Sequence, residues 1–380
     1  MTPSIKDSQT QTVIAPGRVN LLGEHVDYNE GPVLPVAIDL EMTLTFTPLD
    51  DDQIELNALD LGKTSTFRIA DLAAKTDVDG KTLPHFAQYP ASVAWACQQE
   101  GYPISGMRAE YTSNIPIGSG LSSSAAVEVG FARAFMALGG WYLDLMQLVK
   151  LTQKGENKYI GVNSGIMDQF ACLFGIENHA LYLDTRTLDW EAVPLPENIA
   201  IIVADSTISR ELAGSAYNNR QRACHKAVAW LQKSLPKIHS LRDVSVENFY
   251  QYADRLPIDI RKRARHVVEE IARVKKAVEL LKAGDIAGFG KLMVAGHVSL
   301  RDLYEVSLPE LDALVEIALS QPGCYGARLT GAGFGGSTVN LVREDQAKDF
   351  MRALASGYEH ATGKQAKLYH CHAARGAHLE

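Results

Sequence analysis

Apolar and polar positions alternate at the start of the chain. Thr12 to Ala15 reads as a short strand, and Pro16-Gly17 turns it. Val33 to Pro48 is a long β-rich run. Shorter strands are expected at Ile54 to Leu59, Ser65 to Ile69 and Gly106 to Thr112, with a helix over Pro90 to Glu100 that carries Pro in its first turn. A helix follows the serines at 122 to 124 and runs through Phe131 and Phe135. The next spans Leu143 to Ile160 and is closed by Gly161, and a compact loop covers Val162 to Gln169. Strands follow at Leu181 to Leu183 and Ile199 to Ala204. Helices then dominate: one over Ala213 to Leu231, and one that places Val267, Ile271, Val274, Val278 and Leu281 on a single apolar face. Gly284 ends that helix and Asp285 can cap the next. Strands at Tyr325 to Leu329 and Ser337 to Val342 flank TGAGFGG, and a helix over Asp345 to Tyr358 leads to a last strand, Lys367 to His372. The shift to helix-rich sequence near residue 175 divides the chain into units 1–175 and 176–372, with the tail 373–380 outside the fold.

Composition narrows the function. A chain of 380 residues, 46% hydrophobic, can bury a sizeable core. A net charge of −8 argues against a general nucleic-acid binder and against an anionic membrane surface. No apolar run reaches membrane-spanning length, and the first residues lack the basic-then-apolar order of a signal segment. Cys97, Cys172, Cys224, Cys324 and Cys371 are scattered, which is the usage of reduced thiols in a cytoplasmic protein. His370-Cys371-His372 alternates on a strand and is a poor metal-ligand set without distant partners. The basic run Arg261, Lys262, Arg263, Arg265 reads as a solvated helix face.

Candidate chemistry centres on NIPIGSGLSSSAAVEVG, residues 114 to 130. Gly118 and Gly120 permit positive φ and a close approach to a ligand, and Ser is a favoured N-cap. A glycine-rich loop that opens a helix offers free N–H groups and a positive dipole end to an anion, most simply phosphate. A tight turn before a buried helix is the competing reading of this stretch alone. The P-loop pattern with its Gly-Lys-Ser/Thr ending is absent. GAGFGG joins strand to strand rather than strand to helix, which excludes a dinucleotide fingerprint.

Three segments read together decide between these. PIGSGLSSSAA at 116 to 126 resembles the ATP-binding motif of the GHMP small-molecule kinases, and LTGAGFGG at 329 to 336 resembles their third motif. GRVNLLGEHVDYNEGPVLPVAI at 17 to 38 is similar to the signature that separates galactokinases from the rest of that superfamily. SGIMDQF at 164 to 170 and AYNNRQRAC at 216 to 224 match the same branch. The resemblance spans residues 12 to about 372. It implies an α+β fold of mixed α/β character with two lobes, a ribosomal-protein-S5-like N-terminal domain and a ferredoxin-like C-terminal domain.

The resemblance also implies site residues. ATP would lie over Gly118, Ser119, Gly120, Leu121, Ser122, Ser123 and Ser124, with Mg2+ held by Ser124 and Glu156. Galactose would meet Glu24, His25, Asp27, Gly165, Asp168 and Tyr217, and its anomeric hydroxyl would be phosphorylated to galactose 1-phosphate, the opening step of galactose utilisation. Asp168 would accept the proton, with Arg18 as its partner on the phosphoryl oxygens. An adjacent Arg weakens an Asp as a base, so Asp168 is expected to orient the hydroxyl and take its proton late. Position alone gives plainer readings: Glu156 as an exposed acid beside Lys154 and Lys158, Asp168 as a turn former, His25 as a satisfied loop histidine, Tyr217 as a half-buried helix aromatic. Asn163 would shape the same pocket.

Three positions depart from the usual pattern: Val26 for Thr, Ser164 for Cys, and Ala216 for Glu. All fall near the implied sugar pocket and put strictness for galactose in question. The alternatives are a kinase of the superfamily for another sugar, such as N-acetylgalactosamine or arabinose, and a catalytically silent galactose sensor. Retention of Ser124-Ala125 with Asp168 and Arg18 argues against the sensor.

Overall fold

The computed structural model describes residues 10–208 and 213–380. A six-stranded sheet runs in the order His378–Leu379, Gln11–Asn20, Pro35–Pro48, Met107–Ser113, Gln53–Ala58, Lys63–Arg68. Its pairings are antiparallel except that Gln53–Ala58 lies parallel to Met107–Ser113. A four-stranded antiparallel sheet orders Cys324–Thr330, Ser337–Arg343, Ile199–Asp205 and Lys367–Cys371. A small third sheet joins Pro32–Val33, His179–Asp184 and Trp190–Pro194.

The helix Ser123–Gly139 buries Ala125, Ala126, Val129, Phe131 and Phe135, all 1% exposed or less. It packs on the first sheet, and Gly130 leaves room there for the end of the Met42 side chain. The helix Ile258–Lys282 turns Val267, Ile271, Val274, Val278 and Leu281 into the core, as their spacing predicts. Asp285 caps the following helix, Ile286–Ser299, by accepting from the N–H of Gly288.

Several expectations are corrected. The helix expected from Pro90 begins at His85, and Pro90 lies buried inside it. Pro84 occupies the N-cap, just ahead of the first turn, in extended backbone. The loop expected over 162–169 ends sooner, because a helix spans Met167–Phe174 and carries Asp168 in its first turn. Its N-cap, Ile166, makes no side-chain cap, so the usual start signal is missing from the sequence. The tail also belongs to the fold: the N–H groups of Ala374, Gly376 and Ala377 donate to Ala37, Gly175 and Cys172, and His378–Leu379 pairs with Val13 and Ile14. The basic run is not a free solvated face. Arg263 is buried against Glu305 and the Leu303 carbonyl, while Arg261, Lys262 and Arg265 pair with Asp254, Glu305 and Glu269.

Candidate active site

The strand Gln11–Asn20 carries the first signature residue into the centre of the molecule. Its pairing with Pro35–Pro48 shifts register between Pro16 and Gly17, a bulge of the kind that re-aims a side chain. Gly17 is required there, since an added Cβ would lie 2.7 Å from the Leu121 carbonyl oxygen. The next residue, Arg18, is only 4% exposed. Its Nη1 donates to the Gly120 carbonyl at 2.6 Å, while Nε and Nη2 donate to Asp168 Oδ1 at 2.9 and 2.7 Å. One guanidinium thus ties the glycine-rich loop to the first turn of the Met167–Phe174 helix. That turn's dipole also favours the Asp168 carboxylate.

The loop itself uses left-handed backbone at Gly118, Gly120 and Ser122. Ser122 is the N-cap of the Ser123–Gly139 helix, but its hydroxyl does not cap. It donates to Asp168 Oδ2 at 2.6 Å, because positive φ turns it toward the acid. Ser119 donates back to the Pro116 carbonyl at 2.6 Å and closes the loop. The first helical hydrogen bond is from Ala126 N–H to the Ser122 carbonyl, so the N–H groups of Ser123, Ser124 and Ala125 stay available to an anion.

Beside this junction lies a cavity of about 420 Å3 lined by Arg18, Glu24, His25, Asp27, Glu156, Gly165, Asp168 and Tyr217. Tyr89, Ser164, Met167, Asn218 and Ala332 line it as well. His25 has φ of 62°, and its Nε2 lies 3.0 Å from the Ala332 carbonyl, which can only accept. Nε2 therefore carries a proton, and Nδ1 faces the Tyr28 hydroxyl at 2.8 Å. Tyr28 passes this to Tyr304 at 2.7 Å, and Tyr304 meets Cys224 Sγ at 3.3 Å. Tyr217 packs its ring 5.3 Å from those of both His25 and Tyr28.

Acidic groups crowd this cavity. Burial and the neighbouring Asp168 charge push the Asp27 carboxyl up to about 6. Burial pushes Glu24 up to about 7, against the pull of Arg328. Glu156 is raised by burial too, and hydrogen bonds from Ser164 and Gln169 oppose the shift. The reading of Glu156 as an exposed acid fails, since it is half-buried in the cavity wall and accepts from Ser164 and Gln169, while Lys154 turns to Glu100 at 2.5 Å. The Gln169 amide donates at 2.9 Å to both Glu156 and the fully buried Glu128.

The chain resembles known proteins over most of its length. The galactokinase galactose-binding signature matches residues 4–48, and the GHMP kinase N-terminal and C-terminal domains match 88–176 and 277–360. A galactokinase from Roseiflexus sp. (strain RS-1) is 45% identical over 364 residues, 96% of this chain and 91% of that one. The chain belongs to the galactokinase family of GHMP kinases. A second galactokinase, from Chloroflexus aurantiacus, is 41% identical over 367 residues, 97% of this chain and 93% of its own. The crystal structure of Lactococcus lactis galactokinase complexed with galactose matches with a TM-score of 0.92 at 36% identity, covering 98% of this chain and 96% of that one. Methanococcus jannaschii mevalonate kinase shares the fold, with a TM-score of 0.68 at 21% identity over 98% of this chain and all of its own.

As a galactokinase-family member, the chain is an ATP-using kinase that phosphorylates an alcohol group. The structure gathers Arg18, Glu24, His25, Asp27, Glu156, Gly165, Asp168 and Tyr217 around one cavity. Of the departures from the family pattern, Ser164 lines that cavity and bonds Glu156, whereas Val26 is fully buried and does not line it. Sequence reasoning missed Tyr28, Tyr304, Glu128, Gln169 and Arg328. One signal was legible: Arg328 is a lone charge in an apolar strand. The third motif lies against the first signature. Two of its hydrogen bonds reach the signature, from Gly331 N–H to Glu24 at 3.2 Å and from His25 Nε2 to the Ala332 carbonyl at 3.0 Å.

Proposed function

We propose that this protein binds galactose in the 420 Å3 cavity and ATP over residues 118–124, and transfers the γ-phosphoryl group to the sugar's C1 hydroxyl. The products are galactose 1-phosphate, ADP and the hydroxyl proton. The observation that carries the reading is Arg18. Its guanidinium bonds Asp168 on the cavity side and the Gly120 carbonyl on the loop side, so a positive charge stands where the two substrates would meet. Both Asp168 oxygens already accept hydrogen bonds, from Arg18 and from Ser122, which fix the carboxylate's orientation at the cavity wall. A loose phosphoryl-transfer transition state needs little early proton removal, so Asp168 orients the hydroxyl and takes its proton late. Glu24, His25, Asp27 and Tyr217 hold the remaining sugar hydroxyls, with Gly165 giving backbone approach. A wrong epimer would leave buried polar groups unpaired.

The donor set at Ser124 and Glu156 suits Mg2+. It offers one hydroxyl and one carboxylate, both hard oxygens, and the Ser124 hydroxyl makes no hydrogen bond among the described residues. No group of three His, Cys, Asp or Glu able to hold a metal occurs among the described residues, so phosphate oxygens and water would complete the shell. The ion would neutralise charge gathering on the phosphates.

In this reading the two lobes divide near residue 175. No helix of the described chain is long and apolar enough to cross a membrane, and the described cysteines are all free, which supports a cytoplasmic setting. The test is ADP formation across galactose, glucose, N-acetylgalactosamine and arabinose. Turnover of galactose no faster than of the others would end this reading.

A further inference from the structure

Glu24 reaches the cavity from a turn, yet its carboxylate is held from behind. Oε1 accepts from the Gly331 N–H at 3.2 Å, and Oε2 forms an ion pair with Arg328. Arg328 is fully buried on the strand Cys324–Thr330 and does not line the cavity. Its other nitrogens are committed. Nη1 donates to Glu270 Oε1 and to the Leu21 carbonyl, both at 3.1 Å, and Nε donates to the Leu329 carbonyl at 3.2 Å.

Glu270, on the helix Ile258–Lys282, is also fully buried. It pairs with Arg273 and accepts from the Gly23 N–H at 2.9 Å. Two acids and two guanidiniums therefore balance inside the protein, with Arg328 shared between both acids. Through this network, Glu24 is fixed to the turn at Gly23, the turn at Gly331 and the long helix at once. The fold makes room for it: a Cβ at Gly296 would stand 3.1 Å from both Arg328 Nη1 and Leu22 Cδ2. Buried networks of this kind add little net stability, but with every charge paired they hold one geometry.

We propose that Arg328 is a positioning residue for sugar recognition: it touches neither substrate, and it fixes the Glu24 carboxylate against the sugar and thereby sets affinity and epimer selectivity. This rests on the reading that Glu24 contacts the sugar. Lysine at 328 keeps the charge but loses the planar fork that spans two carboxylates.

The test measures KM for galactose, KM for ATP, kcat, and the galactose-to-glucose ratio of kcat/KM. Arg328→Lys is expected to raise the galactose KM about tenfold or more, since it loosens a charge-assisted contact, with the ATP KM within about twofold. In a Glu24→Gln background the same substitution is expected to have little further effect on the galactose KM. Gly296→Ala supplies an arm that removes no charge, and Ala is a better helix residue than Gly. It is expected to raise the galactose KM severalfold and lower the epimer ratio. If Arg328→Lys gives no soluble protein, Gly296→Ala decides. Unchanged galactose KM in the folded variants, equal rises in both KM values, or additive effects with Glu24→Gln would overturn the proposal. Failure of the underlying reading would show differently, as absence of galactose turnover in the unaltered protein.

Discussion

Gly165 lies directly beneath the Asp27 carboxylate: an added Cβ would fall 1.8 Å from Asp27 Oδ2. That separation is far inside any real contact, so the absence of a side chain at 165 is what allows Asp27 to face the cavity. Gly165→Ala must push Asp27 aside or unwind the approach to the Met167–Phe174 helix. The expected result is a galactose KM raised by about tenfold or more, because a buried hydrogen bond to a charged group is displaced. Steady-state kinetics with galactose varied at saturating ATP measures it. A wild-type KM would mean that Asp27 does not bind sugar.

Ser122 divides the loop's labour. Sequence reading gave all three serines to the nucleotide, yet the Ser122 hydroxyl serves Asp168 Oδ2. Ser122→Ala is therefore expected to lower kcat by roughly tenfold through loss of one charge-assisted hydrogen bond, with ATP affinity nearly unchanged. Asp168→Ala is expected to abolish turnover while ATP still binds. Calorimetric ATP titration beside single-turnover kinetics separates the two effects. A large loss of ATP binding in Ser122→Ala would return that hydroxyl to the phosphates.

Asp27 carries a stability cost that depends on pH. Its carboxyl is raised from 3.8 to about 6, so the fold favours the protonated form. Stability from this group is complete at low pH and is lost as pH rises from 3.8 through about 6. The shift of about 2 pH units corresponds to at most ~3 kcal/mol at pH 8, less where water in the cavity screens the charge. Asp27→Asn should raise the melting temperature of the sugar-free protein at pH 8 and leave it unchanged at pH 3.5, while weakening galactose binding. Equal gains at both pH values would show that ionisation is not the cause.

Most strands and the apolar face of the long helix follow from spacing, because each rests on local periodicity, but the first strand runs through the Pro16-Gly17 turn signal to Asn20 and Trp190–Pro194 gave no signal. The motifs whose residues line the cavity were also legible as contiguous strings. What spacing could not supply was their mutual placement. The Ser122 hydroxyl looks like a cap until Asp168, 46 residues away, takes it. Asp168 looks like a turn residue because Ile166 offers no start signal for the helix it opens. Tyr304, Glu270 and Arg328 lie on helices and a strand far along the chain, and only the tertiary fold brings them behind His25 and Glu24.

Gln169 separates two buried acids that would otherwise face each other. Its single amide nitrogen lies 2.9 Å from Glu156 and 2.9 Å from Glu128. Burial pushes the Glu128 carboxyl well above its usual range, and the Glu156 charge adds to that. Glu128 stands one turn beyond Ser124 on the same helix, so Gln169 also fixes the spacing between the Ser124 helix and Glu156. Replacement by Leu, close in volume but unable to donate, should free Glu156 to turn away. The expected outcome is a severalfold rise in the Mg2+ concentration for half-maximal rate, with galactose KM little affected. Direct titration of Mn2+ by electron paramagnetic resonance, with ATP present and no turnover, gives an independent readout of the same loss. Unaltered metal affinity in Gln169→Leu would show that Glu156 keeps its position without the amide, or that it holds no metal.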